Sequence, residues 1–162
     1  MKKVVLVTGI VTALLLTTSL SAKEAAVTLS TKSYKEVVQV DSSGAKKVLF
    51  EEAKKVVPGD TVMYKNSITN NTNKDVNDMV LNNAIPKHTE YVADSAKCEK
   101  ECDILFSVDG GKEFDKPENL MVNSGDKARL ALPKEYTNVR WILTSALDAN
   151  SITDVSFKTK LQ

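Results

Sequence analysis

The chain has 162 residues, 42% of them hydrophobic and 27% charged, with 22 lysines and arginines against 21 acids. That length supports one domain with a real core and is short for two. The near-neutral balance offers no electrostatic footprint for nucleic acid or an anionic membrane surface.

Lys2 and Lys3, the apolar run from Val4 to Leu16, and small or polar residues ending at Ala22 have the layout of a signal peptide. The run is short for a membrane span, and no cysteine near the cut could carry a lipid. Residues 1–22 are therefore expected to be removed before Lys23. Cleavage takes away two lysines and no acid, so the formal charge falls from +1 to −1. The expected product is a soluble exported domain.

The mature chain reads as short extended segments separated by turns. Ala25 to Leu29 is a first strand candidate. Tyr34 to Val40 and Lys46 to Ala53 flank the turn-forming Asp41-Ser42-Ser43-Gly44 and predict a hairpin. The competing reading of Lys46 to Lys55 is a helix, because Glu51 and Lys55 have i,i+4 spacing; Val48-Leu49-Phe50 and the following Pro-Gly favour the strand. Val57-Pro58-Gly59-Asp60 predicts a tight turn, since proline presets φ and glycine supplies the positive φ of a type II turn. It launches a strand in which Val62, Tyr64 and Ile68 share one face, interrupted by Asn66.

A polar loop follows over Asn70 to Asp75, then strands over Val76 to Leu81 and Thr89 to Ala93. Ile104, Phe106 and Val108 alternate into Asp109-Gly110-Gly111, a hairpin signal that makes Phe114 the start of the returning arm. Residues 115–127 read as loop. Ala128, Leu130 and Leu132 alternate, as do Val139, Trp141 and Leu143, and Val155, Phe157, Thr159 and Leu161 close the chain. Roughly eight to ten strands with no convincing long helix predict an antiparallel β-sandwich. The inward set is Val62, Tyr64, Ile68, Val80, Phe106 and Val108, then Leu130, Trp141, Leu143, Val155 and Phe157. Trp141, the only tryptophan, is expected in the core with its indole N–H paired inside.

Pro58-Gly59-Asp60-Thr61-Val62, Tyr64, Asn71-Thr72 and Pro86, with Trp141, Leu147 and Val155-Ser156-Phe157 near the end, resemble the conserved-repeat domain of bacterial surface and envelope proteins, a domain of unknown function numbered eleven. The resemblance spans about residues 56–161. It implies an immunoglobulin-like sandwich, an exported location and a structural or adhesive role, with no catalytic residues to carry over. Residues 23–55 then supply N-terminal strands to the same domain, and residues 56–162 its repeat-like part. Asn73 stands where the family usually has glycine, Asn83 where it has aspartate, and Ala149-Asn150 replaces a common proline-glycine.

Cys98 and Cys102 are the only cysteines. In an oxidising compartment so close a pair favours a disulfide, and two thiols without a neighbouring histidine make a poor zinc site. His88 is the sole histidine; a hydrolase would need it beside a nucleophile such as Ser95, yet nothing resembles a nucleophile elbow. Asp75, Asp78, Asp109 and Asp115 lie in or near loops but match no calcium-loop signature. No cofactor, metal or catalytic residue is therefore assigned.

The leading expectation is a non-enzymatic envelope or surface module that contacts another protein, or a second copy of itself, through an edge strand or loops. The alternative is a small-ligand module for glycan or calcium, using the loops near 70–78 and 109–117. Tyr91, Phe114 and Tyr136 would be its available aromatics.

Overall fold

The computed structural model describes residues 25–125 and 127–162. The expected signal peptide, residues 1–22, lies outside the described residues. Among those described, the strands are β1 (Val27–Val40), β2 (Lys46–Glu52), β3 (Thr61–Asn70), β4 (Val80–Ala84), β5 (Thr89–Tyr91), β6 (Lys97–Cys98), β7 (Cys102–Ser107), β8 (Met121–Ser124), β9 (Lys127–Leu130), β10 (Asn138–Leu143) and β11 (Ile152–Leu161). A 3-10 turn spans Pro133–Glu135.

The strands form an antiparallel β-sandwich. One sheet runs β2-β1-β3-β11, with β5 and β6 sharing the outer side of β11; the second runs β4-β10-β7; β8 and β9 make a separate hairpin. Every strand pairing is antiparallel.

The turn before β3 takes the predicted form. Gly59 has φ +93°, the Asp60 N–H donates to the Val57 carbonyl at 3.0 Å, and the Val57 N–H donates to Asp60 Oδ2 at 2.8 Å. Lys35 adds an ion pair to the same carboxylate at 2.7 Å. The Lys35 hydrogen bond above all, then the Val57 one, holds the Asp60 carboxyl below its ordinary pKa.

Between the sheets, Phe157 packs on Trp141, with ring centroids 6.0 Å apart, and stacks on Tyr64 at 5.2 Å. Val62, Ile68, Leu143 and Val155 are buried around them, as expected. The structure corrects the inward set at two places. Val80 is 51% exposed, and its neighbour Leu81 faces inward opposite Trp141. Leu130 is also 51% exposed, and Ala131 is buried in its place. A period-two pattern fixes alternation but not phase, and a shift of one residue swaps the faces. Trp141 is fully buried, but among the described residues its indole N–H has no acceptor, contrary to expectation.

Other strands differ in extent. The segments expected at 25–29 and 34–40 are one continuous strand, β1. Val76 makes only an isolated bridge to Leu147, so the strand expected from Val76 begins at Val80. Phe114 starts no returning strand; the Asp115 beside it makes a single bridge to Phe106. The loop expected over 115–127 contains β8, paired with β9.

Candidate interaction surface

A group of exposed apolar side chains follows from how β1 is shared. Its first nine residues, Val27 to Lys35, pair with β3, and its last seven, Tyr34 to Val40, pair with β2 on the other side. Only Tyr34 and Lys35 have partners on both sides. The rest of the β1–β2 hairpin therefore runs past the end of β3 as a two-stranded arm.

The tip of the arm is tightly built. Asp41 Oδ1 accepts from the Ser43 N–H, the Ser43 hydroxyl and the Ala45 N–H at 2.8, 2.5 and 3.0 Å, and Gly44 supplies a φ of +83°. Side chains that face each other across the ladder share one face of a sheet. The pairs Glu36–Phe50, Val38–Val48 and Val40–Lys46 thus form one face, continuous with Tyr34 and Met63 on the outside of the larger sheet. On it Val38 is 52% exposed, Val40 61%, Val48 48% and Phe50 40%. Lys158 ties the base of the arm down, paired to Glu36 at 2.7 Å and lying 4.8 Å over the Phe50 ring.

The ladder also fixes which backbone groups of β2 are unpaired. The Asp41 N–H donates to the Ala45 carbonyl and the Ala53 N–H to the Ser33 carbonyl, both at 3.0 Å. Antiparallel alternation then turns the backbone groups of Lys47, Leu49 and Glu51 toward β1, and those of Lys46, Val48, Phe50 and Glu52 toward the open edge. On that edge one short turn bond is present, from the Lys54 N–H to the Glu52 carbonyl at 2.8 Å. No other backbone bond reaches it among the described residues.

The loops named for a small ligand are built differently. Asp75 Oδ1 accepts from the Ala149 N–H at 2.9 Å. Asp109 accepts from the Ser107 hydroxyl at 2.6 Å and from the Lys112 N–H at 3.0 Å. Asp115 accepts from the Lys116 N–H at 2.7 Å and Asn119 Nδ2 at 3.0 Å. The Ser107 bond in the first loop and the Asn119 bond in the second lead in lowering these carboxyl pKa values. The Asp109 and Asp115 carboxylates thus close their own turns, Asp75 ties its loop to the segment before β11, and Asp78 takes a left-handed φ of +56°. Among the described residues no group of three or more His, Cys, Asp and Glu side chains is placed to hold a metal.

Two of the three aromatics expected to be available are not. Tyr91 and Tyr136 are buried and pack with Phe106, with centroids 4.6 to 5.7 Å apart. Phe114 is half-buried under the Arg140 guanidinium, 3.7 Å from its centroid. His88 is exposed, with φ +61°. The Ser95 hydroxyl is engaged with backbone, donating to the Val92 carbonyl at 2.6 Å and accepting from the Lys158 N–H at 3.0 Å.

Cys98 and Cys102 are joined by a disulfide, with Cα atoms 6.4 Å apart. Cys98 ends β6, which pairs with β11 in the larger sheet, while Cys102 opens β7 in the smaller one. The bridge therefore clamps the place where the chain crosses between sheets. On chain-entropy grounds so small a loop is worth about 2 kcal/mol. Reduction is expected to lower stability by that amount in a denaturant titration, and thiol titration of the unreduced, denatured protein should find no free thiol.

Compared with family models, with curated proteins and with solved structures, the chain finds no match.

Proposed function

We propose that this chain is a non-enzymatic interaction module, exported to the envelope or surface of a bacterium, that contacts a protein partner through the β1–β2 arm. The observation that carries this reading is the arm itself, with its unpaired β2 edge and its exposed Val38, Val40, Val48 and Phe50. A two-stranded ribbon alone in water is marginal. An edge with unspent N–H and C=O groups is a template for strand addition, and an apolar face beside it gives the added strand something to bury.

Export is supported by the signal-peptide layout of residues 1–22 and by the disulfide, which suits an oxidising compartment. The proposed resemblance to the conserved-repeat domain, which would make the sandwich immunoglobulin-like, rests on the sequence motifs, and the turn over Val57–Asp60 forms as its Pro-Gly-Asp motif leads one to expect. The carboxylates of Asp75, Asp109 and Asp115, each engaged by hydrogen bonds within the fold, weigh against the ligand-binding alternative.

A photo-crosslinking residue at Val48 or Phe50, introduced in cells, should give discrete adducts in the exported fraction. The same residue at Val80, exposed on the smaller sheet, should give none. Equal absence of adducts at all three positions overturns the reading. N-terminal sequencing of the exported product is expected to begin at Lys23.

A further inference from the structure

We propose that the partner of the β2 edge is a second copy of this chain, joined β2 to β2 in antiparallel register about a two-fold axis through Leu49. This inference rests on the reading of the arm as a contact element.

The β2 sequence is Lys46-Lys47-Val48-Leu49-Phe50-Glu51-Glu52, two cations at one end and two anions at the other, with apolar residues between. Turned end for end against itself about Leu49, it sets Lys46 against Glu52 of the other copy, Lys47 against Glu51, and Val48 against Phe50. Every charge meets its opposite, four pairs in all, because each contact occurs twice in an isologous interface. In parallel self-pairing each charge would meet its like. Shifting the antiparallel register by two residues either way leaves no lysine of the β2 strand opposite a glutamate of the other copy.

The charges are available for such a contact. Among the described residues Lys46, Lys47 and Glu51 enter no ion pair, and Glu52 has only an exposed contact with Lys54 at 3.6 Å, of a kind worth little.

The backbone agrees with this register. The outward-turned residues are Lys46, Val48, Phe50 and Glu52, and these fall opposite one another when Leu49 is the centre. Hence the N–H and C=O groups unpaired in one copy meet those unpaired in the other, giving about eight inter-chain hydrogen bonds. Leu49 then faces its counterpart at a non-hydrogen-bonded position, where side chains approach most closely.

The apolar faces join as well. Val48 and Phe50 of each copy lie side by side, flanked by Val38 and Val40, so the exposed strip becomes one patch shared across the two-fold. The same register lays the Ala45–Gly44 tip of one arm beside the base of the other arm. A notch of about 550 Å³ lies there, lined by Thr31, Lys32, Tyr34, Glu52, Ala53 and Lys54. Pairing consumes both β2 edges, so the contact closes on a dimer and does not propagate into a fibre.

The test is sedimentation of the purified protein over a dilution series, with charge-reversal variants on residues that are exposed and outside the core. The wild-type chain should dimerise, and K46E/K47E and E51K/E52K should each weaken self-association about a hundredfold. Mixed together, those two variants should form a heterodimer, since each supplies the sign the other lacks. The fourfold variant K46E/K47E/E51K/E52K should dimerise with itself and not with the wild type. A wild-type monomer at every concentration, or a dimer indifferent to these reversals, overturns the proposal. Crosslinking from Val48 separates its failure from that of the broader reading. Adducts to a different protein overturn self-pairing and leave an interaction module standing, whereas no adduct overturns both.

Discussion

Phe157→Ala is expected to remove about 3–5 kcal/mol of stability and to lower Tm by about 10–20 °C. Phe157 is fully buried on β11, which lies between β3 on one side and β5 and β6 on the other. Its ring is the contact through which the larger sheet meets Trp141 of the smaller one, and it stacks on Tyr64 as well. Truncation loses the transfer free energy of the ring and leaves a cavity between two ladders that resist collapse. Phe157→Leu keeps most of the volume and should cost about 1–2 kcal/mol. Ile152→Ala, on the same strand but 61% exposed, should stay within about 0.5 kcal/mol. Chemical denaturation of the three variants checks the ordering; a Phe157→Ala loss as small as that of Ile152→Ala would mean that the sheets do not meet through this ring.

The second large effect is expected at Asn70, a polar side chain with no exposed surface. Its Nδ2 lies 2.8, 3.1 and 3.0 Å from the carbonyls of Lys74, Leu147 and Asp148. Its Oδ1 accepts from the Thr72 N–H at 3.0 Å and the Thr72 hydroxyl at 2.8 Å. One amide thus closes the loop after β3 and fastens it to the chain entering β11. Asn70→Ala strands these groups and should cost about 2–4 kcal/mol. Asn70→Asp has nearly the same shape but, when ionised, offers only acceptors to three carbonyls, so its loss at neutral pH should exceed that of alanine. Burial and the facing carbonyls would raise the pKa of the introduced carboxyl above its unfolded value. Its penalty then applies above the raised pKa and fades as pH falls and the group protonates, becoming a donor. The aspartate variant should therefore regain ground on the alanine variant in acid. A constant gap between them across pH would argue against this hydrogen-bond arrangement.

The Asn70 network shows why the loop near 70–78 was open to two readings in the sequence. Asparagine, threonine and aspartate there suit either a ligand site or a turn, and only the positions of the Leu147 and Asp148 carbonyls, far along the chain, decide between them. The strand pattern was more legible, because alternation at Val139, Trp141 and Leu143 and at Val155 and Phe157 is set by one buried face. Where strands are short the phase was not: Val80 and Leu81, or Leu130 and Ala131, are equivalent until it is known what covers each face. Tyr91 and Tyr136 looked available for a similar reason, since the contacts that bury them come from distant strands. The arm was half legible. Its hairpin followed from Asp41 to Gly44, but the open edge of β2 is a property of sheet order, which no local pattern contains. The lysine and glutamate pairs at its two ends are plain in the sequence and gain meaning only once that edge is seen.

The placement of β1 and β11 on either side of β3 bears on how the molecule would carry tension. Val27 pairs with Asn70 at one end of β3, and Lys160 pairs with Thr61 at the other. The first and last strands thus leave from opposite ends of the sheet, about 30 Å apart at the rise of an extended chain. A pull on the two ends runs along β3 and draws β1 and β11 in opposite directions past it. The hydrogen bonds of both ladders lie across that direction, so they are strained in shear, many at once, instead of being peeled open one after another. The arm hangs beyond the stretched segment, where its edge stays free to engage a neighbour while the body of the domain is under force.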